Sequence, residues 1–242
     1  MKYQQERIDL AAAFRMAAQL GYNEAVANHF SLMVGDQGKH FLINPNQRHF
    51  SLIRASDIIL LDANDPGEMD KPNAPDATAW GLHGGVHRHV EHARCVMHVH
   101  STYATVLASL KDANLPPVDQ NSAAFFERHT VDQSYGGLAL ESEGERCARL
   151  LGDPKVQVMI MGNHGVLVLG NSVADAFNRL YYFERAAKNY ILALQTGREL
   201  NVLSDEIARK TAEQLDDYGD QPDRHFTDIK TILDRQGSDY AS

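Results

Sequence analysis

The stretch from Arg94 to His100 reads RCVMHVH and has the alternation of a β-strand. Because successive side chains of a strand point to opposite faces, we expect Met97 and Val99 to enter a core. His98 and His100 then project together from the other face, with origins about 7 Å apart, and two such imidazoles can converge on one divalent ion. A half-exposed strand with two incidental histidines is the alternative, and this motif alone leaves it open. The stretch therefore predicts a strand of the sheet with a candidate metal-binding pair at its end.

A third candidate ligand, His164, lies in the segment Gly162-Asn163-His164-Gly165, between apolar runs at 156–161 and 166–169. The glycines allow a tight backbone path, so the segment predicts a hairpin turn. A histidine at the tip of such a turn is placed to reach a metal from a second direction, although it could instead cap its own hairpin. Three imidazoles leave an open coordination position, which is how catalytic zinc sites are built.

Helices and strands alternate along the rest of the chain. Apolar residues at helical spacing predict helices, and short apolar runs between glycines and turn residues predict strands. The expected helices cover about 4–20, 78–90, 101–111, 143–151, 172–195 and 204–216, and the further strands cover 30–34, 41–43 and 58–61. This interleaving predicts the α/β class with mixed or antiparallel strands. We expect one domain over 1–200, followed by a polar C-terminal helix and tail over 201–242.

Composition excludes several classes of function. The chain has 242 residues, 43% hydrophobic and 23% charged, and a formal net charge of −9. A chain this acidic without a basic cluster is not expected to bind nucleic acid or an anionic membrane. The absence of an apolar run near the ~20 residues of a membrane span, and of a secretion signal, predicts a cytoplasmic protein. Cys95 and Cys147 are expected to be buried apolar residues rather than a disulfide or a metal site.

Several stretches together resemble the class II aldolase/adducin domain family, and most closely its adducin-like bacterial branch. They run in the family's order across residues ~5–200, and are Asn28–Ser31, Ile43–Pro45, Trp80–His89, Val96–Ser101, Gly162–Leu167, Ala174–Phe177 and Leu180–Arg185, with Gln120 in addition. The resemblance implies an αβα sandwich around a mostly antiparallel central sheet. It also implies a homotetramer with active sites between subunits and a small-molecule substrate.

The resemblance also implies a site. It places one divalent metal per subunit, commonly zinc, on His98, His100 and His164; manganese, iron, cobalt and nickel suit three imidazoles as well. It assigns substrate contacts to Asn28, Ser31, Asn46, Asp76, His83 and Gln120. The family's catalytic glutamate falls at Ala79, which can neither ligate a metal nor move a proton. The residues of the family's phosphate pocket fall near Asp76 and Asn46, and a negative Asp76 would repel a phosphate.

These features predict a divalent-metal-dependent lyase acting on a small hydroxy-carbonyl or oxo-acid substrate. Aldol cleavage and decarboxylation both pass through an enolate that a metal can stabilise, and decarboxylation needs no base to start it. A replacement proton donor is sought among Tyr181, Tyr182, Glu184, Glu127 and a group from a neighbouring subunit, although Tyr181, Tyr182 and Glu184 could simply form a helix surface or an interface. The alternative function is a non-catalytic, adducin-like oligomeric module.

Overall fold

The centre of the molecule is a β-sheet whose strands lie between residues 29 and 170 of the chain. The computed structural model describes residues 1–35, 39–134, 136 and 141–242. The strands are β1 (His29–Val34), β2 (His40–Ile43), β3 (Ile59–Asp62), β4 (Cys95–Val99), β5 (His129–Asp132), β6 (Val158–Met161) and β7 (Gly165–Gly170). Their order is β3-β2-β1-β4-β7-β6-β5, and neighbouring pairs are antiparallel except for the parallel pair β5–β6. The expectation of a mostly antiparallel sheet is confirmed.

Helices cover both faces of this sheet. They are α1 (Gln4–Gln19), α2 (Ala77–His89), α3 (Thr102–Ala108), α4 (Gln120–Ala123), α5 (Glu141–Leu150), α6 (Val173–Gln195), α7 (Asp205–Asp216) and α8 (Gln221–Arg235). On one face, α1, α3, α6 and α8 enclose the larger core, and on the other α2 and α5 pack over two smaller clusters. The predicted αβα sandwich is therefore confirmed.

The side chains of β4 divide between the two faces as their alternation predicts. Met97 and Val99 are fully buried in the larger core. Val96 lies in the cluster under α2 and α5, and His98 shares its face because the two residues are two apart. The candidate metal-binding pair is thus at the end of a central strand, on the α2 side of the sheet.

Glycines bring α2 and α5 into close contact. A Cβ atom at Gly85 would lie 2.6 Å from the carbonyl carbon of Gly144, and one at Gly144 would lie 1.9 Å from the oxygen of Gly81. Only glycine allows two helix backbones to approach so closely. The contact fixes the face of α2 that carries His83 and His87 toward the sheet, where both are buried.

The C-terminal segment differs from the expected polar tail. Residues 221–235 form α8, which buries Phe226, Ile229 and Leu233 against α1 and α6. The spacing of these three residues places them on one face of a helix. The boundary at residue 200 stays a prediction. Within the described residues, no helix has the length and apolar character to cross a membrane.

Candidate metal centre

The three predicted ligands meet at one point of the structure. His98 is at the end of β4, His100 follows it, and His164 occupies the turn between β6 and β7. The Nε2 atoms of His98 and His100 are 3.0 Å apart, and those of His100 and His164 are 2.6 Å apart. Each of the three can offer one ligand atom within 4.8 Å of the others, with His98 buried and the other two half-buried. The three histidines, called the triad below, could hold a metal ion.

The hydrogen bonds of the triad fit a cation. The Nδ1 atom of His98 donates to the carbonyl of Val166 at 3.0 Å, and that of His100 donates to the carboxylate of Glu24 at 2.5 Å. With a proton on Nδ1, each neutral ring has a lone pair on Nε2. Two lone pairs that face each other at 3.0 Å repel unless a positive charge lies between them. Three imidazole nitrogens, with a carbonyl and a carboxylate accepting the outer N–H groups of two of them, are the donor set of a histidine metal site.

Burial favours the neutral form of the His98 and His164 imidazoles. Desolvation lowers the pKa of His98 well below its ordinary value, and the nearby His100, His29 and His164 lower it further. Desolvation and the nearby His100 likewise lower the pKa of His164 to about 4. The neutral ring is the form that binds a divalent metal, so neither of these two rings would need to lose a proton to bind one at neutral pH.

A second group of histidines lies directly beside the triad. His29 pairs with His98 across β1 and β4, and the two rings stack with centroids 5.4 Å apart. The ring of His29 also meets the ring of His83 edge-on at 5.4 Å. The Ser31 hydroxyl is 2.5 Å from Nδ1 of His83 and 2.7 Å from Nε2 of His87. Ser31 and His83, both predicted substrate contacts, are therefore brought together in a layer buried between α2 and β1.

The direction of this hydrogen-bond chain is set at one end. Nδ1 of His87 donates to the carbonyl of Ala93 at 3.1 Å, which leaves Nε2 as an acceptor. The Ser31 hydroxyl then donates to His87 and accepts from Nδ1 of His83. Desolvation lowers the pKa of His87 to about 4, consistent with a neutral ring. The chain fixes the orientation of His83, whose ring contacts His29 next to the triad.

The other predicted substrate contacts on this side have separate roles. Asn28 is buried, and its Oδ1 accepts the backbone N–H of Glu24 at 2.6 Å. Asn46 is exposed in the turn after β2. Asp76 caps the first turn of α2 and accepts the N–H and the hydroxyl of Thr78 at 2.9 and 2.5 Å. Burial raises the pKa of Asp76, but the hydrogen bonds from Thr78 and from the Ala79 N–H, together with the nearby His29, outweigh burial and lower this pKa overall.

Gln120 and Tyr182 lie in a different part of the structure from the triad. Both line a cavity of about 740 Å³ next to α4, α6, α7 and the start of α8, and its described lining residues include none of the triad. The Tyr182 hydroxyl accepts from Gln221 at 3.0 Å, while the Tyr181 ring packs on His225 at 5.3 Å. Within one chain, the structure does not bring these predicted residues to the triad.

Glu184 lies on α6, and its buried carboxylate reaches the start of α3, the helix that follows His100. Its carboxylate accepts the Ser101 hydroxyl at 2.7 Å and the backbone N–H groups of Tyr103 and Ala104, both at 2.9 Å. These contacts satisfy the free N–H groups at a helix start and place a negative charge at its positive end. The observed contacts are those of a helix cap, and the catalytic role of Glu184 stays a prediction.

Sequence reasoning did not assign a site role to Glu24, His29 or His87. His29 belongs to the quoted stretch Asn28–Ser31, and its spacing from Ser31 could have placed both on one strand face. The pairing of β1 with β4, which sets His29 against His98, has no local signal. Glu24 lies in a loop, where no periodicity indicates which way a side chain points.

The same fold and chain order recur in known proteins. The family model described as the class II aldolase and adducin N-terminal domain matches residues 8–191. A Caulobacter vibrioides protein, whose name marks it provisionally as a class 2 aldolase, is 32% identical over 207 residues, or 85% of this chain and 79% of the relative. A Streptomyces niveus protein named decarboxylase NovR is 26% identical over 207 residues, or 85% of this chain and 75% of the relative.

A solved structure extends the likeness to nearly the whole fold. The crystal structure of an aldolase II superfamily protein from Pseudomonas syringae superposes with a TM-score of 0.88 at 32% identity, covering 99% of this chain and 96% of that one. Fold, chain order and sequence thus agree over most of the length. This chain is a member of the class II aldolase and adducin family.

Proposed function

We propose that this protein is a metal-dependent carbon–carbon lyase acting on a small, unphosphorylated oxo-acid or hydroxy-carbonyl compound, with decarboxylation favoured over aldol cleavage. The observation that supports it most directly is the convergence of three imidazole Nε2 atoms, with Nδ1–H groups of His98 and His100 held by Val166 and Glu24. Zinc is the first candidate, with manganese, iron, cobalt and nickel as alternatives. A divalent ion held there supplies Lewis-acid stabilisation of the negative charge that develops on a substrate oxygen.

Two features of α2 favour decarboxylation of an unphosphorylated substrate. Ala79 stands where the family resemblance places a catalytic glutamate, and it is buried in the apolar cluster with Phe41 and Ile43. Loss of carbon dioxide needs no base to remove a proton first, so it tolerates this replacement. In addition, Asp76 occupies N–H groups at the start of α2, where a phosphate would otherwise bind. The similarity to a protein named as a decarboxylase is consistent with this preference.

The chain's own residues orient and enclose the site. The Val166 carbonyl and the Glu24 carboxylate direct two imidazoles inward, and His29 covers one side of His98 with its ring. The buried layer of Ser31, His83 and His87 supports His29 from beneath. The residue that protonates the product stays open among Tyr181, Tyr182, Glu184, Glu127 and a group from another subunit.

We further propose that the protein works as a homotetramer with sites between subunits. Gln120 and Tyr182 lie away from the triad within one chain, so they can contribute to a site only through a neighbouring copy. The particle mass from sedimentation equilibrium tests this proposal, and a monomer would contradict it.

The metal content per chain is the first test of the proposed function. We expect elemental analysis of protein purified without chelators to find about one divalent ion per chain. His98→Ala and His164→Ala should each lose most of this metal, because a site with two imidazoles is much weaker than one with three. His89→Ala removes an exposed histidine near the end of α2 and should leave the metal content unchanged.

A substrate panel then tests the reaction. The metal-loaded protein is expected to release carbon dioxide from oxo-acids and to leave sugar phosphates intact. If the metal-loaded protein acts on neither oxo-acids nor unphosphorylated hydroxy-ketones, this result would contradict the proposed lyase activity. Absence of metal from wild-type protein even after reconstitution would favour the adducin-like module instead.

A further inference from the structure

We propose that Glu24 is a positioning residue of the metal centre, which orients His100 and strengthens its bond to the metal. The inference rests on the proposed metal site and adds to it a carboxylate from a part of the chain distant from all three ligands. The Oε2 atom of Glu24 lies 2.5 Å from Nδ1 of His100, and the two residues are 76 positions apart in the sequence. A carboxylate that accepts the outer N–H of a ligating imidazole fixes the tautomer and increases the basicity of the inner nitrogen.

The contact between Glu24 and His100 differs from an ordinary surface ion pair, because one of its two side chains is largely buried. The His100 side chain is 18% exposed, whereas that of Glu24 is 63% exposed. An exposed carboxylate that pairs with a mobile surface cation contributes little. Here the partner is a largely buried ring at the end of a central strand, so the position of the carboxylate decides which way the ring faces.

The loop that carries Glu24 is held in one conformation. Asn28 accepts the Glu24 N–H at 2.6 Å, and the Ala27 N–H donates to the Glu24 carbonyl at 2.9 Å. Asn23 donates to the carbonyl of Ala25 at 3.0 Å. Ala25 has a φ of 45°, in the left-handed region that alanine rarely adopts. A conformation of this kind persists where neighbouring contacts impose it, and these contacts place Glu24 over His100.

The test is the zinc affinity of full-length protein, measured by competition with a chelating dye. We expect Glu24→Ala to raise the zinc dissociation constant about 10- to 100-fold, the usual effect of removing such a partner. Glu24→Gln should lose less, because its amide oxygen can still accept the Nδ1–H of His100. Glu199→Gln, which removes the same charge at an exposed position, should bind zinc like the wild type.

Two further results would overturn the inference, and each is distinct from failure of the proposed function. One is a Glu24→Ala protein whose zinc affinity stays within about twofold of the wild type. The other is a loss of metal-free stability in Glu24→Ala as large as its loss of zinc affinity, measured by urea unfolding, since this would indicate a structural role. If wild-type protein itself does not bind zinc or another divalent ion, the proposed function fails first and the inference fails with it.

Discussion

Two imidazoles of the triad, those of His98 and His100, are oriented by acceptors of different kinds. His98 donates to a backbone carbonyl, that of Val166, which belongs to the neighbouring strand β7. His100 donates to a side chain, Glu24, from a loop. Substitution cannot remove a backbone acceptor, whereas it can remove or replace a carboxylate. The orientation of His98 is therefore a property of the sheet, and that of His100 can be changed one residue at a time.

Replacing Ser31 with alanine tests the buried layer beneath the triad. The change removes the hydroxyl between His83 and His87 and leaves two buried imidazole nitrogens without this partner. Since a buried polar group without a partner costs about 1–3 kcal/mol, we expect the free energy of unfolding to fall by about 2 kcal/mol or more. Urea denaturation of the metal-free protein measures this change in the free energy of unfolding. Ser56→Ala, at an exposed position, is the matched control; equal stability of the two variants would mean that the layer contributes nothing.

At the scale of elements, sequence periodicity accounts for the long helices and the central strands. The bounds predicted for α1, α6 and α7 agree with the structure within a few residues, because each has a regular apolar face. The edge strand β5 was not predicted, since His129–Asp132 is short, polar and only partly buried. For α8 the signal was present in Phe226, Ile229 and Leu233, but the polar residues around them favoured a tail.

The hydrogen bonds from the start of α3 to Glu184 are expected to stabilise this helix. Glu184→Gln should lower the free energy of unfolding by about 1–3 kcal/mol, because it removes a charge that accepts three hydrogen bonds at a helix start. Thermal or urea unfolding beside the exposed control Glu213→Gln measures the change. A variant with wild-type stability and no lyase activity would instead support the catalytic role predicted from the sequence.

At the scale of the whole molecule, the site depends on long-range pairing that no local pattern encodes. The His-X-His strand and the glycine-flanked His164 could be identified as candidate ligands from the sequence. Their approach to one another depends on β4 pairing with β7, and the approach of His29 depends on β1 pairing with β4. Sequence spacing also could not place Gln120 and Tyr182, which belong to a separate cavity within the chain.

Removing residues 201–242 tests whether the C-terminal segment is separable. We expect the shortened chain to unfold or aggregate, because α8 buries Phe226, Ile229 and Leu233 in the main core. Burying each such side chain contributes about 1.5–3 kcal/mol, so together they approach the total stability of a typical domain. Size-exclusion chromatography and thermal melting measure the outcome. A monodisperse 1–200 fragment that melts like the full chain would establish the predicted boundary.

Two point variants on α8 serve as controls for this truncation. Phe226→Ala should cost about 3–5 kcal/mol, since it leaves a cavity under the helix. Ile232→Ala, on the exposed side of the same helix, should change stability by about 0.5 kcal/mol or less. Similar effects of the two variants would mean that α8 does not pack as the structure has it.

The strand order has a consequence for the kinetics of folding. His100 and His164 are 64 residues apart, and they meet only after β4 and β7 have paired in the middle of the sheet. Forming a contact between distant segments first costs the entropy of closing a long loop, and only afterwards gains the energy of the contact. If a metal ion binds the triad as proposed, it would need both histidines, so it would find no site before β4 and β7 pair and would not accelerate the early steps. Its stabilising effect would then fall on the finished sheet, where it would slow unfolding and lengthen the lifetime of the native protein.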